Sequence, residues 1–188
     1  MKKIGKNCSR TNVGFTLVEV IVVMVIIGIL SAVAYPFFRN WYAGINLRTV
    51  SRQVYSDLSW AKSEAIRLNS DVAIAVTLGP PSSYVIFQDN GVGPVAGGVA
   101  GDGIRNGSEP ILKTVTFPAG SGPIISTCLT NPPGQSLGFT SRGLPSGRLT
   151  PLVAGGNTIG SIQVASTRIP DTFTTSIRTA GSILTTTP

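Results

Sequence analysis

The sequence predicts an α+β protein in which one long N-terminal helix precedes a domain of antiparallel β-sheets. Three observations lead to this. An apolar run extends from Phe15 to Phe38 with a single charged residue, Glu19. Residues 47–68 repeat apolar side chains at the period of an amphipathic helix. The rest of the chain has short segments rich in Val, Ile and Thr, separated by Gly and Pro, which is typical of strands and turns.

A short basic segment, residues 1–14, precedes the apolar run. It contains Lys2, Lys3, Lys6 and Arg10 and no acidic residue. Cations at this end hold it in the cytoplasm, so the domain that follows faces outward. Without this segment the chain keeps 11 basic and 8 acidic residues, and its net charge falls from +7 to +3. Such a charge permits contact with an anionic partner without requiring one.

The apolar run is predicted to cross a membrane. About 20 apolar residues in a helix span the ~30 Å hydrocarbon core of a bilayer, and residues 15–38 are long enough. Gly28 and Pro36 interrupt the run, but membrane helices tolerate such residues better than soluble helices do. Trp41 and Tyr42 follow, in the position where aromatic side chains anchor a helix at the membrane surface.

Glu19 is the unusual residue of this run, because an acid within a membrane helix is costly and usually has a partner. Cleavage between Gly14 and Phe15 would create an α-amino group one helical turn away, cationic below its pKa of about 8. The amine of a neighbouring subunit could pair with Glu19 equally well. The remaining alternative is that Glu19 lies at the depth of the lipid headgroups.

A conventional secretory signal is the other interpretation of this region. Residues 32–34, Ala-Val-Ala, fit the small-residue rule for cleavage after Ala34. That cut would release a soluble secreted binding protein beginning at Tyr35. Glu19 near the start of the apolar core and Pro36 close behind the cut argue against it.

Residues 40–69 are predicted to form an amphipathic helix that packs on the soluble domain and ends at Asn69. Its apolar face comprises Leu47, Val50, Val54, Leu58, Ala61, Ala65 and Leu68. The opposite face, predicted to be solvated, carries Arg48, Arg52, Asp57, Lys62, Ser63 and Arg67.

The β-rich part is predicted over residues 72–184. Strands are expected at 72–78, 84–88, 111–117, 124–128, 135–140, 149–153, 161–166 and 174–179. The segment 111–117 alternates so that Ile111, Lys113, Val115 and Phe117 share one face. Residues 89–110 are expected to form a long loop, and the tail, residues 185–188, is expected to be loose.

Gly14 and the following residues 15–19, Phe-Thr-Leu-Val-Glu, resemble the processing site of type IV pilin-like proteins. Gly28 and Pro36 stand where pilins often soften or kink this helix. The resemblance implies that a prepilin peptidase cuts after Gly14 and N-methylates the new first residue, Phe15. It also implies that Glu19 pairs with the N-terminus of a neighbouring pilin when a filament assembles.

The rest of the chain resembles the GspH/FimT family of minor pilins and pseudopilins. Residues 51–58, 61–66, 102–112 and 139–145 carry this resemblance. It implies a pilin-like fold with two β-sheets against the helix. It further implies a structural and assembly subunit, not an enzyme, in a type IV pilus or a type II secretion pseudopilus. Before assembly such a subunit is anchored in the inner membrane, with its N-terminus in the cytoplasm and its domain, residues 39–188, in the periplasm.

Neither catalysis nor a cofactor or metal site is predicted. The sequence has no histidine, so it has no His base and no His metal ligand. Cys128 is the single cysteine after residue 14; it is expected to be buried. Asp89, Asp102 and Glu109 offer oxygen atoms to calcium, but their spacing does not fit an EF-hand loop.

Binding of DNA for uptake is the functional alternative on the same scaffold. Some FimT-like pilins bind DNA through a C-terminal Gly-Arg-x-Arg motif. This chain has Gly-Ser-Ile-Leu at residues 181–184, without either arginine. Arg168, Arg178 and Arg148 remain as candidate contacts, because a phosphate contact needs only a cation. Nucleic acid is therefore a less favoured partner than other pilins.

Overall fold

A computed structural model describes residues 14–91, 99–105, 109–118, 120, 122–130, 136–146 and 156–186. The elements are α1 (Leu17–Leu68), β1 (Asp71–Thr77), β2 (Ser82–Asp89), β3 (Ile111–Phe117), β4 (Pro123–Thr130), β5 (Leu137–Phe139), β6 (Thr158–Ser166), β7 (Thr172–Arg178) and β8 (Ile183–Thr186). The chain divides into two compact units, Met1–Arg39 and Asn40–Pro188. One long helix followed by antiparallel strands confirms the predicted α+β class.

The first unit contains the apolar half of α1. Its large apolar side chains are exposed, from Leu17 to Phe38. Helix α1, the one helix among the described elements, is long and apolar enough at this end to cross a membrane. Pro36 lies inside the helix and lacks an N–H, so the hydrogen bond to the carbonyl of Ala32 is missing and the helix is weakened there.

The second unit contains the rest of α1 and two four-stranded antiparallel sheets. The strand order is β3-β2-β1-β5 in one sheet and β4-β6-β7-β8 in the other. One hydrophobic core joins side chains of the helix to both sheets, with Leu58, Ile86 and Ile162 among its buried members. Gly160 of β6 lies against Leu137 of β5, and a Cβ at residue 160 would collide with that side chain. A glycine is thus required where the two sheets approach.

The apolar face of α1 is buried as its periodicity predicts. Leu47, Val54, Leu58, Ala61 and Ala65 are all at most 2% exposed. The opposite face differs from the prediction at two residues, because Asp57 is buried and Lys62 is half-buried against the β7–β8 turn.

Asp57 was expected on the solvated face but is only 6% exposed. Its Oδ2 accepts a 2.6 Å hydrogen bond from the hydroxyl of Tyr84 in β2. Its Oδ1 pairs with Nζ of Lys113 in β3 at 2.6 Å. A buried carboxylate needs such partners, because an unpaired one loses its hydration without compensation. These contacts tie the helix to two strands of one sheet.

The predicted strands overlap β1 to β7, and β3 matches its prediction at both ends. Ile111 is an exception within β3, since it is 49% exposed; Leu112 packs against the core instead. A shift in register between Ile86 and Phe87 of β2 breaks the alternation at this point. The predicted strand 149–153 lies outside the described residues. The prediction of a loose tail is wrong for residues 185 and 186, which belong to β8; residues 187 and 188 lie outside the described residues.

The β7–β8 turn is fastened to the helix. Nζ of Lys62 donates a 2.9 Å hydrogen bond to the carbonyl of Gly181. Gly181 has a φ of +75°, and a Cβ there would lie 2.8 Å from the carbonyl oxygen of Gly143. Only a residue without a side chain fits this turn.

Candidate functional site

The candidate processing site lies where the described chain begins. Residues 14–16 are not helical, and α1 begins at Leu17. Oγ1 of Thr16 accepts a 3.2 Å hydrogen bond from the backbone N–H of Glu19. Thr16 is therefore the N-cap of the helix, with Glu19 at the third helical position. This role of Thr16 was not predicted, although Thr-x-x-Glu before an apolar run is a known signal for the start of a helix.

The peptide bond between Gly14 and Phe15 is accessible. Both residues are exposed, and Phe15 reaches 82%. A Cβ placed on Gly14 would meet no atom within 4 Å. No other part of the described chain therefore covers this bond.

Glu19 is exposed, and although Phe15 precedes the helix, the two residues line one apolar surface. Its backbone N–H is capped by Thr16, but its carboxylate makes no hydrogen bond or ion pair with any residue that the structure describes. Exposed apolar side chains, Val20 and Val23 among them, surround it. The described chain thus offers a negative charge without a counter-ion on an apolar surface.

Gly28 and Pro36 are both within the helix. No side chain packs over Gly28, since a Cβ there would meet nothing within 4 Å. Glycine and proline each lower the local stability of a helix, by about 1 and 3 kcal/mol relative to alanine in soluble hosts. The two positions are the weak points of this helical segment.

The structure does not bring the candidate DNA contacts together. Arg168 lies in the β6–β7 turn, where Nη2 donates a 3.4 Å hydrogen bond to the carbonyl of Gly120. Arg178 lies at the other end of β7. Arg168 precedes β7 and Arg178 is the last of its seven residues, so the strand puts on the order of 20 Å between them. Arg148 lies outside the described residues.

The loop acids bind their own backbone. Asp89 is 1% exposed, and its oxygens accept the N–H groups of Gly101 at 2.8 Å and Gly103 at 2.6 Å. Burial raises the pKa of Asp89, with the charges of Glu109 and Asp102 adding to the rise, while the two backbone hydrogen bonds oppose it. Among the described residues, no group of three or more acidic or cysteine side chains is arranged to hold a metal ion.

Cys128 is half-buried in β4 and packs against the core. Burial raises the pKa of its thiol from 9.0 to about 11. The thiol is therefore protonated at neutral pH and a poor nucleophile.

Two family models match the chain. The model described as type II transport protein GspH matches residues 50–178. The model described as the prokaryotic N-terminal methylation motif matches residues 14–35, the segment that contains Gly14, Phe15 and Glu19.

Among solved structures, the chain is similar to the minor pseudopilin EpsH from the type 2 secretion system of Vibrio cholerae. The sequence identity is 14% and the TM-score 0.49, over 76% of this chain and 97% of that chain. Comparison with curated protein sequences gives no significant match.

Proposed function

Because the chain belongs to the GspH family of type II transport proteins, we propose that it is a minor pseudopilin of a type II secretion pseudopilus, or a minor pilin of a type IV pilus with the same subunit plan. Members of this family are structural subunits that assemble with other pilins. The methylation motif over residues 14–35 implies processing by a prepilin peptidase.

The proposed order of events begins in the inner membrane. Residues 1–14 form the leader, residues 15–38 the membrane helix, and residues 39–188 the domain outside the cytoplasm. The peptidase cuts after Gly14 and N-methylates Phe15. The exposure of both residues supports this step. The subunit then moves from the membrane into the filament, where its apolar helix packs against the helices of its neighbours. Gly28 and Pro36 let that helix adapt its shape to them.

The unpaired carboxylate of Glu19 carries this proposal. It lies on an exposed apolar surface without a counter-ion in the described chain. In an apolar surrounding a single negative charge is costly unless a cation meets it. The α-amine that cleavage creates on a neighbouring subunit is such a cation. Glu19 therefore sets the register of the incoming subunit, and packing of the apolar side chains holds it.

Three variants test the proposal. Gly14→Val should leave the leader uncut, which the intact mass would show. Glu19→Gln should be inserted and cleaved but should enter filaments poorly. Asp102→Asn is the matched control, an acid-to-amide change outside the helix, and should enter filaments normally. Normal incorporation of Glu19→Gln would contradict the assembly role.

Sequencing the N-terminus of the purified native protein separates this proposal from the secretory alternative. Phe or N-methyl-Phe at the first position supports processing at residue 14. Tyr35 at the first position would indicate cleavage after Ala34 and a soluble binding protein.

DNA uptake is tested by a gel shift at low and high salt, because phosphate contacts weaken as salt rises. The domain from Trp41 onward would be compared with its Arg168→Ala and Arg178→Ala variants. No shift at low salt would remove this alternative.

A further inference from the structure

A groove of about 610 Å³ lies in the second unit, between α1 and the β7–β8 strands. Its lining comprises Gly44, Arg48, Ser51 and Arg52 of the helix with Asp171, Phe173 and Thr185 of the sheet. None of these residues belongs to the processing and assembly site described above.

Two cations stand at one wall of the groove. Arg48 and Arg52 are one helical turn apart and both exposed. Neither makes a hydrogen bond or ion pair with another residue in the described ranges. The Cα–Cβ bonds of a helix tilt toward its N-terminus, so both side chains leave α1 in the direction of its N-terminal end. Two adjacent guanidinium groups match the oxygens of a phosphate.

Ser51 supplies an independent sign of a missing ligand. It lines the groove and is only 2% exposed. Its hydroxyl has no hydrogen-bond partner among the described residues, whereas Thr49, Ser59 and Ser63 on the same helix each donate to the carbonyl four residues earlier. A buried hydroxyl without a partner is unfavourable. A phosphate oxygen in the groove would satisfy it.

The groove also carries a negative charge. Asp171 is exposed, lines the groove and pairs with no described cation. This carboxylate opposes the binding of a bare phosphate or a nucleic acid, although the two arginines leave the groove with a net positive charge. A headgroup with a phosphate and an ammonium group matches both the positive and the negative charges of the groove. The guanidinium groups bind the phosphate, and the carboxylate binds the ammonium group.

Position along the chain favours a lipid as the source of this headgroup. Gly44 lies three residues after Trp41, which is about 5 Å along a helix. Trp and Tyr prefer the depth of the headgroups, and the headgroup layer is about 5–8 Å thick on each side of the hydrocarbon core. A long arginine side chain spans the distance that remains between this part of the helix and the headgroup layer.

We propose that this groove binds the headgroup of an aminophospholipid, with Arg48, Arg52 and Ser51 on the phosphate and Asp171 on the ammonium. The proposal rests on the membrane anchoring that the proposed function assigns to residues 15–38. The lipid gives the domain a second attachment to the bilayer, which must be released before the subunit enters a filament.

Native mass spectrometry of the full-length protein in detergent tests this. The probes are dihexanoyl phosphatidylethanolamine, dihexanoyl phosphatidylglycerol and inorganic phosphate, with a hexaglutamate peptide as an acidic-chain probe. We expect phosphatidylethanolamine to bind most tightly. The Arg48→Gln/Arg52→Gln variant should bind it roughly tenfold or more weakly, since two charge-assisted contacts are lost. The Arg142→Gln/Arg178→Gln variant is the matched control, because it removes two exposed arginines outside the groove, and should bind as the native chain does.

The Asp171→Asn variant tests the preference between the two lipids, which would not change if Asp171 had only a structural role. It should reverse the preference, so that phosphatidylglycerol binds at least as well as phosphatidylethanolamine. Equal binding of lipid by the Arg48→Gln/Arg52→Gln variant and the native chain would overturn the proposal. So would equal binding of inorganic phosphate, or tighter binding of hexaglutamate.

The N-terminus is sequenced on the same preparation. A chain that begins at Phe15 but shows no lipid preference contradicts the groove alone. A chain that begins at Tyr35 contradicts the proposed function and with it the groove. Near-ultraviolet circular dichroism shows whether each variant is folded, and Ser51→Ala, which is expected to weaken lipid binding, replaces the arginine variant if that one is not.

Discussion

Lys62 and Gly181 join the two ends of the domain, since Nζ of the first donates a 2.9 Å hydrogen bond to the carbonyl oxygen of the second. The two residues are 119 positions apart. The turn that holds Gly181 packs on Gly143, so three distant segments meet at this contact.

Lys62→Met should lower the free energy of unfolding by about 1–2 kcal/mol, because the carbonyl of the buried Gly181 loses a charged donor. Methionine keeps most of the apolar stem, so packing changes little. Urea denaturation of the full-length protein in mild detergent, followed by near-ultraviolet circular dichroism, measures this. Arg142→Met is the control, since Arg142 is exposed in a neighbouring turn and should change stability little. Equal effects of the two variants would mean that the hydrogen bond contributes nothing.

Tyr84→Phe should lower the free energy of unfolding by about 1–3 kcal/mol, because buried Asp57 loses one of its two partners. Burial and the neighbouring Asp57 carboxylate raise the pKa of Tyr84 far above its ordinary value. The native protein should therefore show one tyrosine that does not ionise in a spectrophotometric titration until the fold is lost. Tyr55→Phe, at an exposed position on the same helix as Asp57, should leave stability unchanged. Ionisation of Tyr84 together with the exposed tyrosines would contradict its buried contact with Asp57.

Gly181→Ala should destabilise the domain by about 1–3 kcal/mol, because φ is +75° and the new Cβ would meet a backbone oxygen at 2.8 Å. Gly44→Ala is the comparison. A Cβ at residue 44 would lie 3.9 Å from Ile169, an ordinary contact, and alanine favours the helix by about 1 kcal/mol. Thermal melting of both variants should give shifts of opposite sign. A rise in stability for Gly181→Ala would show that the turn is not held as described.

Cys128 should react slowly with iodoacetamide at pH 8. A thiol pKa raised from 9.0 to about 11 reduces the thiolate fraction roughly a hundredfold. The rate should keep rising through pH 10, where an unperturbed thiol has levelled off. The experiment uses a Cys8→Ser background so that one thiol is counted. A rate that has levelled off by pH 10 would mean that Cys128 is not shielded.

Much of the fold was predictable because its signals are local. The apolar run, the buried helix face and the strands β1 to β7 each follow from spacing within a few residues. The missed features depend on distant partners. Asp57 follows Val54 by three residues and precedes Ala61 by four, so it borders the buried face, but only Tyr84 and Lys113 make its burial favourable.

Strand β8 was missed for a related reason. Its four residues are too few and too polar to show an alternating pattern. Pairing with β7 through a turn at Gly181 creates the strand. In the candidate site, Gly14, Phe15 and Glu19 were predicted from a motif of fixed residue order, and the methylation motif model matches the segment that contains them. The groove was not, because its helix and strand residues are more than 100 positions apart and no linear motif links them.

The hydrogen bond between residues 62 and 181 also determines when the domain can be completed. The helix emerges first during synthesis and the β7–β8 turn last, so the final helix contact waits for almost the whole polypeptide. Contacts between such remote segments slow folding, and a polypeptide that lacks the β7–β8 turn lacks them. On the proposed topology, the domain should therefore stay open to chaperones and proteases until the β7–β8 turn has crossed the membrane.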